Sequence, residues 1–214
     1  MSESFICEDI AAMIDHSILR PNLTEEQVRQ ECMTAIKYKV ATVCCVPSDV
    51  ATAKAYCQDS DVKVCAVVGF PHGNNRTETK ILETRLALDD GAEEIDMVLH
   101  IGKLLSGSFD YVQGDIAAVV EVAHRRNSIV KVILENCYLD KVSIARGCRL
   151  AEKAGADFVK TSTGFAPGGT ELEDLKIMRA SVSDSVQIKA AGGIRDLKAV
   201  LTVRELGVTR IGAT

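Results

Sequence analysis

The sequence predicts an α/β fold in which eight parallel strands, each followed by a helix, close into a (β/α)₈ barrel of the TIM type. Three observations carry this expectation. Eight short apolar, β-branched runs recur along the 214 residues. Helical patterns separate them at intervals of about 20–35 residues, the length of a strand–helix unit. No linker, low-complexity tract or shift of composition divides the chain, so residues 1–214 read as a single domain.

In chain order the expected strands are 14–19, 41–46, 62–69, 94–99, 129–135, 157–161, 186–190 and 208–212. Thr24-Glu25-Glu26-Gln27 and Thr170-Glu171-Leu172-Glu173 read as capping boxes opening the helices after the first and sixth strands. Gly91, Gly155 and Gly207 each stand between a helical stretch and a strand, as helix C-terminal glycines do. The charged stretch 77–90 reads as a helix with a solvated face and intrahelical ion pairs. Eight alternations favour closure over an open doubly wound sheet, and the Gly-x-Gly-x-x-Gly dinucleotide fingerprint is missing. No helical pattern follows the eighth strand, so the last helix is expected to lie beyond Thr214 in the natural protein.

Composition narrows the function. The 25 Lys and Arg against 30 Asp and Glu give a formal charge of -5, which argues against a nucleic-acid partner. A phosphorylated small molecule stays open, because local groups can hold a phosphate on an acidic protein. No apolar run approaches the ~20 residues of a membrane span. Residues 1–10 carry Glu3, Glu8 and Asp9 with no basic stretch, so neither secretion nor membrane attachment is expected. The eight cysteines have neither C-x-x-C nor Cys/His zinc spacing. They read as reduced thiols of a cytoplasmic protein.

Chemistry in a barrel gathers at the C-terminal ends of strands. Side chains alternate along a strand, so Ile95 and Met97 on the helix side turn Asp96 inward, and Val186 and Ile188 do the same for Lys189. Lys160 shares its face with Phe158 and runs into the small, polar stretch Thr161-Ser162-Thr163-Gly164. Two lysines and one aspartate thus converge on one mouth, an excess of positive charge that is costly unless used. An amine attacks a carbonyl only when neutral, and burial with a neighbouring cation favours that form. The apolar strand supplies the burial, Lys189 supplies the cation, and Asp96 is placed to move protons. A second constellation, Ala190-Ala191-Gly192-Gly193-Ile194-Arg195-Asp196, opens a helix after the seventh strand, where backbone N–H groups and the helix dipole can hold a phosphate. Gly212-Ala213-Thr214 begins the matching eighth loop.

With these residues in place the chain resembles the deoxyribose-phosphate aldolase family, class I aldolases that work through a lysine Schiff base. The resemblance runs from about Ile10 to Thr214. It rests on Ile14-Asp15-His16-Ser17, Phe70-Pro71-His72-Gly73, Glu94-Ile95-Asp96-Met97-Val98, Lys160-Thr161-Ser162-Thr163-Gly164-Phe165 and Lys189-Ala190-Ala191-Gly192-Gly193-Ile194-Arg195. It implies reversible cleavage of 2-deoxy-D-ribose 5-phosphate to acetaldehyde and D-glyceraldehyde 3-phosphate, with no cofactor. It makes Lys160 the Schiff-base lysine, Lys189 its electrostatic partner, and Asp96 the proton-relay carboxylate supported by Asp15. Ser17, Cys44 and Thr163 would line the substrate pocket, and Gly164, Gly192, Gly193, Gly212 and Thr214 would hold the phosphate. The family also implies a homodimer or higher homo-oligomer. Ser17 stands where a threonine is usual, which keeps the hydroxyl. His16 is expected to order the end of the first strand, His72 to shape a loop or touch substrate, and His100 and His124 to sit on the surface. Adjacent on one strand, Cys44 and Cys45 should face opposite ways. Two rival readings remain: a phosphosugar isomerase or epimerase with a carboxylate base, and a non-catalytic barrel that binds a phosphorylated metabolite. Neither needs a lysine at position 160.

Overall fold

The computed structural model describes residues 7–213. Strands β1 (Ile14–Ile18), β2 (Thr42–Cys45), β3 (Lys63–Val68), β4 (Glu94–Val98), β5 (Ile129–Ile133), β6 (Phe158–Lys160), β7 (Gln187–Ala191) and β8 (Val208–Ala213) form a closed parallel barrel in sequence order. β8 returns to β1 through the pairs Ile14–Ile211, Asp15–Gly212 and His16–Ala213. The helices are α1 (Cys7–Ala11), α2 (Glu25–Tyr38), α3 (Val50–Cys57), α4 (Thr77–Asp89), α5 (Ile101–Leu105), α6 (Phe109–His124), α7 (Lys141–Lys153), α8 (Leu172–Ser181) and α9 (Leu197–Glu205). Each expected strand is present with its ends shifted by two residues or fewer. No helix among the described residues is long and apolar enough to cross a membrane.

Alternation divides the strand side chains into two environments. Outward residues such as Val43, Ile95, Met97, Val132 and Ile188 join helix residues such as Val28, Val119 and Leu175 in one apolar layer. Each such side chain contributes about 1.5–3 kcal/mol by leaving water. The inside of the barrel is different. Where branched aliphatic layers are usual, this one buries Asp15, Thr42, Glu94, Asp96, Lys131, Lys160 and Lys189.

The capping box on α2 forms: Thr24 Oγ1 accepts from Gln27 N at 3.3 Å, and Gln27 Oε1 accepts from Thr24 N at 2.9 Å. Gly91, Gly155 and Gly207 close their helices with φ of 104°, 85° and 86°. Two expectations need correction. Thr170 does not cap α8, which starts at Leu172 with Glu171 in the N-cap position and no side-chain cap bond. The Thr170 hydroxyl is taken by Ala191 O at 2.8 Å, tying the loop after β6 to the end of β7. Nor is α4 a merely solvated helix. It packs on α6, so the face bearing Lys80 is buried, and Lys80 Nζ donates to Asp115 Oδ2 at 2.6 Å and Val98 O at 2.9 Å. That contact braces the end of β4 from outside.

Candidate active site

Six strands contribute charge to one buried cluster. Lys160 Nζ (β6) donates to Asp96 Oδ2 (β4) at 2.7 Å, and Lys189 Nζ (β7) donates to the same oxygen at 2.7 Å. Lys189 also donates to Asp15 Oδ2 of β1. Lys131 Nζ (β5) lies 2.8 Å from Asp96 Oδ1, 2.5 Å from Glu94 Oε2 and 3.6 Å from Asp15 Oδ2. Arg210 of β8 donates to Asp15 Oδ1 at 2.6 Å and Glu94 Oε2 at 3.0 Å. The expected excess of two lysines over one aspartate is therefore corrected. Four cations (Lys131, Lys160, Lys189, Arg210) face three carboxylates (Asp15, Glu94, Asp96), which leaves one positive charge in surplus.

The partners decide the protonation of the group. Burial pushes the Asp96 carboxyl up, but Lys131, Lys160 and Lys189 together hold it well below the usual range. Asp15 behaves alike: burial opposes ionisation, while Lys189, Lys131 and Arg210 override it. For Lys189 burial disfavours the ammonium, and Asp15 with Asp96 raises it above the ordinary lysine value. Lys131 is raised in the same way, against burial, by Asp96 and its neighbours. Lys189 and Lys131 are thus fixed cations. Lys160 has a single carboxylate contact and stands at the edge of the cluster.

That edge opens on a cavity of about 690 Å³ lined by Lys160, Lys189, Asp15, Ser17, Cys44 and Thr163. Gly164, Gly192, Gly193 and Gly212 line the same cavity, together with Arg195. The sequence-expected residues therefore meet in one place, with two exceptions. Asp96 lies beneath the cavity wall with 0% exposure and reaches it through Lys160. Thr214 falls outside the described residues. His72 is exposed in the loop after β3 and is not among the lining residues. His16 is ordered by Glu31, at 2.7 Å from Nε2. His100 caps α5 by accepting from Lys103 N at 3.3 Å, and His124 lies exposed beside Asp157.

Gly192 and Gly193 both take φ of 85°, a left-handed backbone that favours glycine. A Cβ on Gly192 would come within 3.0 Å of Gly169 Cα, so the loops after β6 and β7 touch through bare backbone. The start of α9, however, is already occupied by the Asp196 carboxylate, which accepts from Ala199 N at 2.8 Å. An N-cap carboxylate takes one N–H of the helix end and adds a negative charge there. The glycine backbone and Arg195 line the cavity beside it.

Sequence reasoning missed four participants. Lys131 stands alone in Ile129-Val130-Lys131-Val132-Ile133, where alternation applied to β5 turns it inward. Glu94 sits two residues before Asp96 and shares its face. Arg210 left no such signal, because a register irregularity between Ile188 and Lys189 breaks the pairing of β7 with β8. Glu135, buried with φ of 57°, accepts from Thr163 N at 3.1 Å and from the Thr163 hydroxyl. It fixes the loop that leaves Lys160.

Lysines from adjacent barrel strands, opening on a cavity at the strands' C-terminal ends, define a lysine-centred barrel enzyme of small-molecule chemistry. Residues 10–213 match the DeoC/LacD family aldolase description, and the chain belongs to that family. It is 49% identical over 208 residues to a deoxyribose-phosphate aldolase of Thermococcus gammatolerans, covering 96% of this chain and 92% of that one. It is 48% identical over 207 residues to a deoxyribose-phosphate aldolase of Caldanaerobacter subterraneus, covering 96% and 90%. Among solved structures it resembles the tetrameric deoxyribose phosphate aldolase from Aeropyrum pernix, with a TM-score of 0.90, 31% identity, and 97% and 88% of the two chains covered.

Proposed function

We propose that the protein reversibly cleaves 2-deoxy-D-ribose 5-phosphate to acetaldehyde and D-glyceraldehyde 3-phosphate through a Schiff base on Lys160. In this reading it serves the breakdown of deoxyribonucleotides in the cytoplasm. The observation that carries it is the position of Lys160, on a cavity wall with one carboxylate contact and a second, fixed ammonium on the same oxygen. The relatives' names support the choice of substrate.

The surplus positive charge of the cluster falls on the amine with the fewest partners. Loss of one proton from Lys160 leaves the remaining charges balanced. Its neutral nitrogen adds to the substrate aldehyde, and the carbinolamine expels water to give an iminium. The C3 hydroxyl gives up its proton to a water in the cavity as the C2–C3 bond breaks, and the iminium accepts that bond's electron pair, releasing glyceraldehyde 3-phosphate and leaving an acetaldehyde enamine. Protonation and hydrolysis free acetaldehyde and the lysine. Asp96, held as a carboxylate, is the acceptor nearest that nitrogen. Lys131 and Lys189 keep it ionised and in place, and Asp15 anchors Lys189. Ser17 and Thr163 face the sugar from the cavity wall, while Gly164, Gly192, Gly193 and Gly212 bind the phosphate, with Thr214 assigned to the same loop. The tetrameric neighbour supports a homo-oligomeric state.

Borohydride reduction in the presence of acetaldehyde, followed by peptide mass mapping, tests the proposal. The expected adduct is on Lys160, and Lys160→Ala loses it. An adduct on Lys189 with Lys160 untouched reverses the two roles, and no adduct on either rejects the mechanism.

A further inference from the structure

Two thiols stand beside the amine, on strands that contribute nothing to the charge cluster. Cys44 of β2 and Cys65 of β3 are register partners. Neighbouring strands set such residues about 5 Å apart at Cα, within the span a disulfide bridges. Both side chains belong to the inner cluster with Leu19 and Val67, whereas Cys45 faces the helix layer. The two sulfurs and an Asp96 oxygen lie within 4.8 Å of one another. Cys65 Sγ donates to Asp96 Oδ1 at 3.2 Å, and Lys131 Nζ lies 3.4 Å from that sulfur. Of the two thiols, only Cys44 is among the residues lining the cavity. A metal ion is a poor occupant of this trio, because three ammonium groups already crowd Asp96.

We propose that Cys44 and Cys65 form an oxidation site in which a hydroperoxide converts the pair to a disulfide and switches off the adjacent lysine chemistry. Contact with the Cys65 thiol lowers the Cys44 pKa despite burial, and Lys189 and Lys160 act in the same direction. Burial pushes Cys65 well up. Cys44, which lines the cavity where Cys65 does not, is the attacking sulfur and Cys65 the resolving one. The Cys44 thiolate attacks one peroxide oxygen, the O–O bond breaks, and the departing oxygen takes up a proton to leave as water or alcohol. Cys44 is left as a sulfenic acid. Cys65 sulfur then attacks Cys44 sulfur; the S–O bond breaks as S–S forms, and the hydroxyl departs with the Cys65 proton as water. Two electrons have passed from the sulfur pair to the peroxide, and a dithiol returns them. Cys65, once bridged, cannot donate to Asp96, and Cys44 is drawn away from the cavity wall toward β3.

The experiment uses Cys137→Ser protein, since Cys137 is an exposed free cysteine. Samples treated with hydrogen peroxide are alkylated and mapped by mass spectrometry, and cleavage activity is followed in parallel. The expected product is lighter by two hydrogens, with the Cys44 and Cys65 peptides joined. Activity falls about tenfold or more, the scale of a lost hydrogen bond to a charged group, and dithiothreitol restores it. In Cys65→Ser, or Cys65→Ala should serine prevent folding, the sulfenic acid has no resolving thiol. Further peroxide then carries it to the sulfinic acid, so Cys44 gains two oxygens and dithiothreitol no longer restores the activity of that variant. Recovery of both thiols in free form after peroxide, or inactivation without this cross-link, overturns the proposal. The mass readout needs no substrate, so it stands apart from the aldolase reading.

Discussion

Replacing Lys189 with methionine removes one charge from the cluster while keeping much of the side-chain volume. Lys189 and Lys160 both donate to Asp96 Oδ2 at 2.7 Å, so their nitrogens are no farther apart than twice that distance. Two like charges about 5 Å apart, at an effective dielectric constant of about 20, repel by about 3 kcal/mol. That is a factor of about a hundred in a proton equilibrium. In Lys189→Met the neutral amine at position 160 becomes rarer by this factor, and the acid limb of the kcat/KM profile moves upward by about two pH units. The assay is steady-state cleavage of 2-deoxyribose 5-phosphate from neutral to alkaline pH, with the rate of borohydride trapping as a second reading. Asp15 keeps Arg210 and Lys131 as partners, so the variant should fold, which urea unfolding checks. A profile lowered in height but unmoved along the pH axis refutes the electrostatic role and leaves Lys189 as a tether for Asp15 and Asp96.

Lys131→Met strips Asp96, Glu94 and Asp15 of a shared cation and should destabilise the fold by about 3–5 kcal/mol, read as a lower urea midpoint. An unchanged midpoint would mean that the three remaining cations suffice. Acid sensitivity follows from Asp15 and Asp96, whose native values lie below the ordinary 3.8. Their contribution to stability is complete above that value and is lost as pH falls from it toward the depressed native values. Urea midpoints should therefore decline on acidification below it, and a rising midpoint contradicts the pairing. Gly192→Ala forces a side chain into φ of 85° and against Gly169, a strain of about 1–2 kcal/mol. It should raise KM for deoxyribose phosphate more than it lowers kcat. An equal penalty on unphosphorylated deoxyribose would remove Gly192 from the phosphate cradle.

The barrel was legible because two periodicities coincide. Apolar alternation marks the strands, and the helix-to-strand glycines mark their spacing. Lys160, Lys189 and Asp96 could be placed from alternation alone, since the residues beside them, Val159, Ile188, Ile95 and Met97, are apolar and join the helix layer. Lys131 obeys the same rule and was overlooked because its strand looked uniformly apolar. Arg210 could not be placed by counting, since the irregular pairing beside Lys189 uncouples β8 from its neighbour's phase. Thr170 shows the weakness of a short motif. Its hydroxyl fits a capping box in sequence, but a carbonyl from β7, distant in the chain, claims it. Lys80 teaches the same lesson on a helix, where a charge on an apparently solvated stretch finds Asp115 across a packed interface.

Arg210 and Asp15, 195 positions apart, bond directly where the last strand meets the first. The seam is joined to the rest of the polar centre, because Asp15 also holds Lys189, and Lys189 shares an oxygen with Lys160. A chain still emerging from the ribosome, or one unzipped at its final strand, therefore lacks the Arg210 partner of Asp15 and Glu94. Ring closure thus completes the charge balance of the centre as well as the sheet.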